Sequence, residues 1–385
     1  MSRRYPRLGL TLTLGTTQTL AWASSYYLPA ILAVPMAAEL GVSSVWVFGA
    51  FSLALVISAA LGPFVGRCID RRGGRDMLLA SNLVLAAGLG SMALAQGLPS
   101  LLLAWVITGI GMAMGLYDAA FATLGRLLGR EARAAITGVT LLAGFASTIG
   151  WPLTTWLDVQ LGWRATCLVW AGLHLAVGLP LNWRLPQAGS LEALERNEGI
   201  EPPPPDKPRL AMGLLAFVFA VGWFVSTAMA AHLPRLLHET GASLAAAVAA
   251  AALVGPAQVA ARLGEFALLR HLHPLVSGRL ATILHPLGAG LLTIGGLPAA
   301  GFAVLHGAGN GMLTIASGTL PLTLFGPRGF GRRQGLIIAP ARILQAGAPL
   351  LFGLLLEAVG GAALWLTSAL MLSAFVALMA IRRPA

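Results

Sequence analysis

Two charged residues, Asp118 and Arg342, stand inside long apolar stretches of the sequence. Burying a charge away from water is expensive, so charged residues in such stretches usually have a function. Asp118 lies near the end of its stretch and Arg342 near the start of its own. If both stretches are helices that run in opposite directions, the two side chains lie at a similar depth from the same side. The pair therefore predicts either a carboxylate that takes up a proton or an ion pair linked to a bound solute. A static ion pair that only holds two helices together is the alternative.

Polar and aromatic residues recur at helical spacing in further apolar stretches. These candidates are Gln18, Trp22, Tyr26, Trp223, Thr227, His306, Asn310 and Thr314. Residues three or four positions apart share one face of a helix, so each set can line a cavity that binds a small solute. The alternative for each set is hydrogen bonding between packed helices. His285 stands alone in its stretch, and we expect it to be a packing histidine with satisfied hydrogen bonds.

The elements that position these residues follow from composition. The chain has 385 residues, of which 57% are hydrophobic and only 10% are charged, against about 25% charged in soluble domains. In lipid a backbone must satisfy its own hydrogen bonds, so the long apolar runs are predicted to be helices. We predict an all-α integral membrane protein with twelve spans. They are Leu8–Met36, Val45–Val65, Met77–Leu94, Ser100–Leu124, Ala134–Leu157, Ala165–Trp183, Leu210–Ala231, Leu244–Ala261, Leu275–Leu292, Leu297–Leu324, Leu336–Leu356 and Ala362–Ile381.

The loops between these spans alternate between basic and poorly basic. All but three of the 25 lysines and arginines fall in one set of loops, together with both termini. Positively charged loops face the cytoplasm, so both termini are predicted to be cytoplasmic and the protein to lie in a bacterial inner membrane. The net charge of +11 does not indicate nucleic-acid binding, because the basic residues form small clusters between apolar runs.

A charged hairpin, Gly66 to Arg75, separates the second and third spans and reads GRCIDRRGGR. It resembles the signature loop between helices two and three of the major facilitator superfamily. The matching residues are Gly66, Asp70, Arg71, Gly73 and Arg75. Gly74 stands where the family pattern has a basic residue. Gly162-Trp163-Arg164 and the glycines of span four support the same resemblance.

The resemblance implies the major facilitator fold, with two six-helix bundles. The bundles would comprise residues 1–184 and 210–385, with a cytoplasmic linker over 185–209. It also implies that Asp70 accepts hydrogen bonds from the start of helix eleven, near Gln334–Leu336, and so forms a cytoplasmic gate. Arg71 and Arg75 would pair with acids or with lipid phosphates. The alternative is that these arginines only hold the loop in the cytoplasm. Helices one, four, seven and ten would line a central cavity.

These observations predict a secondary active transporter that moves a small solute by alternating access and is not an enzyme. We expect a proton gradient to drive it, with uniport left open, and we expect a monomer surrounded by lipid. The sequence contains no phosphate-binding glycine loop and no metal-ligand spacing, so no cofactor and no metal are expected. Two alternatives belong to other classes: a non-transporting membrane sensor or scaffold, and a membrane-embedded enzyme. The first would need an output domain and the second a nucleophile or metal set.

Overall fold

The computed structural model describes residues 7–187, 207–269, 271–293 and 298–381, and every regular element within them is helical. The helices before residue 188 are α1 Arg7–Ser24, α2 Pro29–Leu40, α3 Ser44–Arg72, α4 Arg75–Ala93, α5 Leu98–Gly115, α6 Tyr117–Leu128, α7 Ala132–Ala143, α8 Ala146–Leu173 and α9 Leu179–Trp183. The later ones are α10 Pro208–Glu239, α11 Leu244–Ala252, α12 Val254–Gly264, α13 Pro274–Thr293, α14 Ala299–Phe325, α15 Phe330–Val359 and α16 Ala363–Ala380.

Eight of the helical stretches in the described ranges are long and apolar enough to cross a membrane. One of them, Ala132–Trp183, contains 52 residues, although about 20 suffice to span a bilayer. It includes Gly162, whose backbone leaves the helical region with φ 79° and ψ 163°. The stretch therefore holds the fifth and sixth predicted spans. The count of twelve spans stays a prediction.

Breaks divide several predicted spans, and hydropathy alone did not show them. The first span consists of α1 and α2, which are separated at residues 25–28. The fourth consists of α5 and α6, because Leu116 is extended, with φ −83° and ψ −174°. The predicted end of span eight at Ala261 is wrong. Helix α12 continues to Gly264 and a π-helical turn follows over Glu265–Leu269, so Arg262 and Glu265 are helical and buried.

The signature hairpin also differs from the predicted loop. Its residues up to Arg72 form the last turns of α3, and α4 begins at Arg75. The connection is therefore only Gly73 and Gly74. Gly73 ends α3 with φ 89°, a left-handed value that favours glycine, and its N–H donates to the Ile69 carbonyl at 2.9 Å.

The described residues fall into two compact units. The first contains residues 7–187 and 327–339, and the second contains residues 207–326 and 340–381. The first ten residues of α15 thus belong to the first unit and the rest of that helix to the second. The predicted bundle boundaries at 184 and 210 stay a prediction. Residues 188–206 of the predicted linker lie outside the described ranges.

An ionic cluster stabilises one end of the first unit beside the Gly162 break. Glu39, near the end of α2, accepts hydrogen bonds from the Trp163 indole at 2.6 Å and from Arg164 Nε at 2.7 Å. Arg164 also donates to the Ala93 carbonyl at the end of α4, at 2.6 Å. The Gly162-Trp163-Arg164 segment therefore links the ends of α2 and α4 to α8.

Candidate functional site

The carboxylate of Asp70 caps the start of helix α15. Its Oδ1 accepts the N–H of Gly331 and its Oδ2 accepts the N–H of Arg332, each at 2.9 Å. The first N–H groups of a helix have no partner within that helix, and the helix dipole makes this end positive. A bidentate carboxylate satisfies both needs. The sequence predicted this kind of contact near Gln334–Leu336, and the structure shows it at Gly331 and Arg332.

Four glycines allow α3 and α15 to approach closely enough for this cap. Gly62 and Gly66 lie one turn apart on α3, and Gly331 and Gly335 have the same spacing on α15. A Cβ on Gly331 would lie 2.5 Å from the Gly66 carbonyl oxygen, and one on Gly335 would lie 2.6 Å from the Gly62 carbonyl carbon. Small residues four apart are a common device for close helix packing in membranes. The four-residue spacing of the glycines is visible in the sequence, but the sequence does not show which glycines pack against each other.

Helix α6 supports the same cluster from another side. Arg126 donates a hydrogen bond to the backbone carbonyl of Asp70. A Cβ on Gly125 would come within 2.7 Å of the Phe330 ring, and one on Gly74 within 2.6 Å of Thr123 Cβ. The missing basic residue at position 74 is thus explained, because no side chain fits there. We call Asp70, Arg126, Gly331 and Arg332 the capping cluster.

The two arginines Arg71 and Arg75 of the motif have different surroundings. Arg75 lies over the indole ring of Trp183, with its guanidinium carbon 4.9 Å from the ring centroid, a cation–π contact. Arg71 is exposed in the last turn of α3. Their predicted pairing with acids or lipid phosphates stays a prediction.

The break at Leu116 brings predicted site residues of the first unit together. Gln18, buried on α1, donates from Nε2 to the Gly115 carbonyl at 2.6 Å. That carbonyl ends α5, and α6 starts with the N–H groups of Ala119 and Ala120 bonded to Leu116 instead. Asp118, two residues after the break, accepts from Gln334 Nε2 at 3.4 Å. Both predicted polar residues are therefore held at an irregular point of the fourth span.

Aromatic rings surround this break. Trp22 lies 4.8 Å from Tyr117 and 5.0 Å from Tyr26, measured between ring centroids. Tyr26 in turn meets Phe51 at 5.4 Å. Trp22 is buried, whereas Tyr26 is half-buried. The predicted residues Gln18 and Trp22 thus both contact the residues that flank the break, Gly115 and Tyr117.

In the second unit the predicted residues His306, Asn310 and Thr314 lie on α14, and they contact two different neighbouring helices. His306 Nδ1 lies 3.0 Å from Nδ1 of His285 on α13. Thr314, two turns later, lies 3.4 Å from Arg262 on α12. Asn310, between them, is half-buried. His285 is therefore buried with both ring nitrogens engaged, as the sequence predicted, but it is paired with His306 and not isolated.

Arg342 is one of two buried arginines in the described helices. Arg262 is equally buried and donates to the Gly311 carbonyl and to Gln258 Oε1, each at 3.4 Å. Arg342 donates to Gln345 Oε1 at 3.3 Å. Asp118 belongs to the first unit and Arg342 to the second, so their predicted interaction stays a prediction. Trp223 and Thr227 lie half-buried on α10.

The apolar helices and the capping cluster define a class, the multi-pass membrane proteins with a transporter fold. The family model described as Major Facilitator Superfamily matches residues 14–303. The chain therefore belongs to the major facilitator superfamily, a family of secondary transporters, which are generally not enzymes.

Solved structures share this fold. The human organic anion transporter MFSD10 (TETRAN) has 18% identity and a TM-score of 0.72, covering 97% of this chain and 100% of its own. The proton:xylose symporter XylE, bound to 6-bromo-6-deoxy-D-glucose, has 15% identity and a TM-score of 0.70, covering 96% and 94%. FucP, in the outward conformation, has 14% identity and a TM-score of 0.73, covering 97% and 98%. At these identities the likeness concerns the fold alone. A search of curated proteins found no match.

Proposed function

We propose that this chain moves a small polar solute across a bacterial inner membrane by alternating access, driven by a proton gradient. The observation that carries the proposal is the cap of α15 by Asp70. Both carboxylate oxygens are engaged, and both bonds end on backbone N–H groups that have no helical partner. Because the carboxylate binds only backbone N–H groups, these hydrogen bonds can form and break without any rearrangement of side chains on α15. The cap therefore suits a gate that opens once in every transport cycle.

The glycine pairs support a gate rather than a permanent joint. Between Gly62 and Gly335 the contact is backbone against backbone, with no interlocking side chains. Such surfaces separate without rearranging rotamers. Asp70 holds the N-terminal end of α15, which belongs to the first unit, whereas the rest of α15 belongs to the second unit. Breaking the cap would therefore release a helix that is shared by both units.

The chemistry of the solute is suggested by unused hydrogen-bond acceptors. Gln18 Nε2 is engaged by the Gly115 carbonyl, which fixes the orientation of the amide. Its Oε1 is buried and has no hydrogen-bond partner among the residues that the structure describes. Asn310 Oδ1, in the second unit, is likewise buried without a hydrogen-bond partner among the described residues. At each of these two positions, taken separately, a bound hydroxyl or amine group would supply the missing donor.

Proton coupling rests on Asp118. Its carboxylate sits at the start of α6 and accepts a hydrogen bond from a neutral amide, Gln334. Arg342 would act on the same step, since Asp118 and Arg342 were predicted together from their similar depth.

The experiment is solute exchange in proteoliposomes. Purified protein is tested against a panel of small polyols, sugars, amines and carboxylates, with and without a pH gradient. We expect exchange of at least one solute that carries hydrogen-bond donors. We also expect the pH gradient to cause net accumulation of that solute. A protein that inserts and folds but exchanges no solute of the panel would contradict the function. Exchange without any effect of the gradient would contradict the proton coupling alone.

A further inference from the structure

A chain of buried hydrogen bonds links three helices of the second unit. His285 on α13 lies 3.0 Å from His306 on α14 through their Nδ1 atoms, and its Nε2 lies 3.0 Å from Thr367 Oγ1 on α16. All three side chains are buried. Buried ionisable groups within membrane helices are costly and are usually retained for a function. Helix packing alone would be served by serine or threonine.

The direction of each hydrogen bond follows from Thr367. Its hydroxyl donates its one hydrogen to the Leu364 carbonyl at 2.9 Å, so Thr367 must accept from His285. Nε2 of His285 therefore carries the hydrogen, and Nδ1 of the neutral ring is an acceptor. His306 must then donate from its own Nδ1. Its Nε2 is left as an acceptor.

That remaining acceptor belongs to a ring that lines a small internal cavity. Its polar lining residues are Ser226, His285, His306 and Asn310, and Leu313 and Met371 are among its apolar walls. Asn310 Oδ1 is buried without a hydrogen-bond partner in the described part of the chain. The site thus presents acceptors, and a donor is what it lacks. The simplest donor is a proton added to His306, which turns Nε2 into an N–H.

We propose that the His285–His306 pair is a binding site for one proton. The incoming proton binds Nε2 of His306, and the new N–H is directed toward the cavity that Asn310 shares. The positive charge is shared across the bond between the two rings, because the hydrogen between the Nδ1 atoms can lie on either side. A second proton is excluded while the rings touch. Both Nδ1 atoms would then be donors facing each other at 3.0 Å.

None of the described residues that line this cavity is acidic, so none of them supplies a carboxylate to share the proton. Helix α16 carries no charged residue. The nearest arginine on α13 is Arg279, which donates to the Leu378 carbonyl at 3.1 Å. On α12, Arg262 faces α14 two turns beyond His306, at Thr314. The charged residues of α10, such as Arg209 and Arg235, do not line the cavity.

The pair has a defined position under the predicted topology. His306 lies about two turns, or roughly 10 Å, after the start of α14. That start faces the outside if both termini are cytoplasmic. The inference that this proton enters from outside and drives transport rests on the proposed function. The existence of the proton site does not.

The first test measures the proton site directly. Full-length protein with ¹⁵N-labelled histidine is placed in lipid nanodiscs and followed by NMR over a pH series. At alkaline pH we expect opposite tautomers, with the hydrogen on Nε2 in His285 and on Nδ1 in His306. On acidification both rings should shift together in one transition. His306→Gln should abolish the transition of His285, whereas His271→Gln, at an exposed histidine, should leave it unchanged.

Several outcomes would overturn the site. They are identical tautomers, two independent transitions, or no transition while the protein stays folded. If His306→Gln does not fold, Thr367→Val replaces it. That change removes the acceptor that sets the tautomer of His285, so the opposite-tautomer pattern should be lost, and its persistence would refute the derivation.

The second test concerns coupling. His306→Gln should lower gradient-driven accumulation by more than it lowers solute exchange without a gradient, and an equal fall in both, or accumulation at the parental level, would refute the coupling role. A parent protein that exchanges no solute would instead refute the proposed function, and the NMR test would still decide whether the proton site exists.

Discussion

Replacing Asp70 with Asn tests the cap of α15 with little change of shape. The substitution removes the negative charge and turns one acceptor oxygen into an NH₂ group. Since both oxygens now accept N–H groups at 2.9 Å, one of these N–H groups would face a donor. Gly331 is buried and Arg332 is exposed, so water can replace only part of what is lost.

The size of the effect has two parts. Losing a negative charge at a helix N-terminus costs about 0.3–2 kcal/mol. Leaving one N–H without an acceptor adds about 1–3 kcal/mol when it is buried, and less when water reaches it. Taking the lower value of each part for a half-exposed cluster gives about 1.3 kcal/mol, or roughly a tenfold shift toward the released state.

Hydrogen–deuterium exchange measures this shift at the groups concerned. The amides of Gly331 and Arg332 donate to Asp70, so their exchange in Asp70→Asn should be roughly tenfold faster than in the parent. Asp76→Asn is the matched control, because Asp76 is an exposed acid four residues beyond the end of α3 that belongs to the first turn of α4. Transport should slow while membrane insertion is retained. Equal exchange in Asp70→Asn and the parent, or equal acceleration in Asp76→Asn, would refute the reasoning.

Three further predictions follow from the site and the topology. Gly335→Ala should destabilise the protein by about 1–3 kcal/mol through overpacking and lower its melting temperature, whereas Gly347→Ala on the same helix meets only a leucine side chain at 3.4 Å and should be neutral; equal melting temperatures would contradict the close approach. Asp118→Asn should keep solute exchange but lose accumulation under a pH gradient, and loss of both would indicate a structural role. Reporter fusions at Gly189 and Ala385 should show cytoplasmic activity, and periplasmic activity at either position would overturn the topology.

The sequence alone determined much of the architecture of this protein. Hydropathy identified the membrane helices because, in lipid, every apolar run must satisfy its backbone hydrogen bonds within itself. The motif around Asp70 indicated the family and even the kind of contact, a carboxylate on a helix N-terminus. These are local properties, since they depend on residues that are neighbours along the chain.

The tertiary structure decided which residues meet across helices. Asp70 and Gly331 are 261 positions apart, and neither residue indicates the other. His285 looked isolated in the sequence because its partner, His306, lies 21 positions away on another helix. Arg262 looked like a loop residue because apolar residues become sparse before α12 ends. Hydropathy reports how apolar a segment is, whereas these contacts depend on the rotation and depth of each helix against its neighbours. Those quantities are set by packing, through glycines that permit close approach and side chains that exclude it.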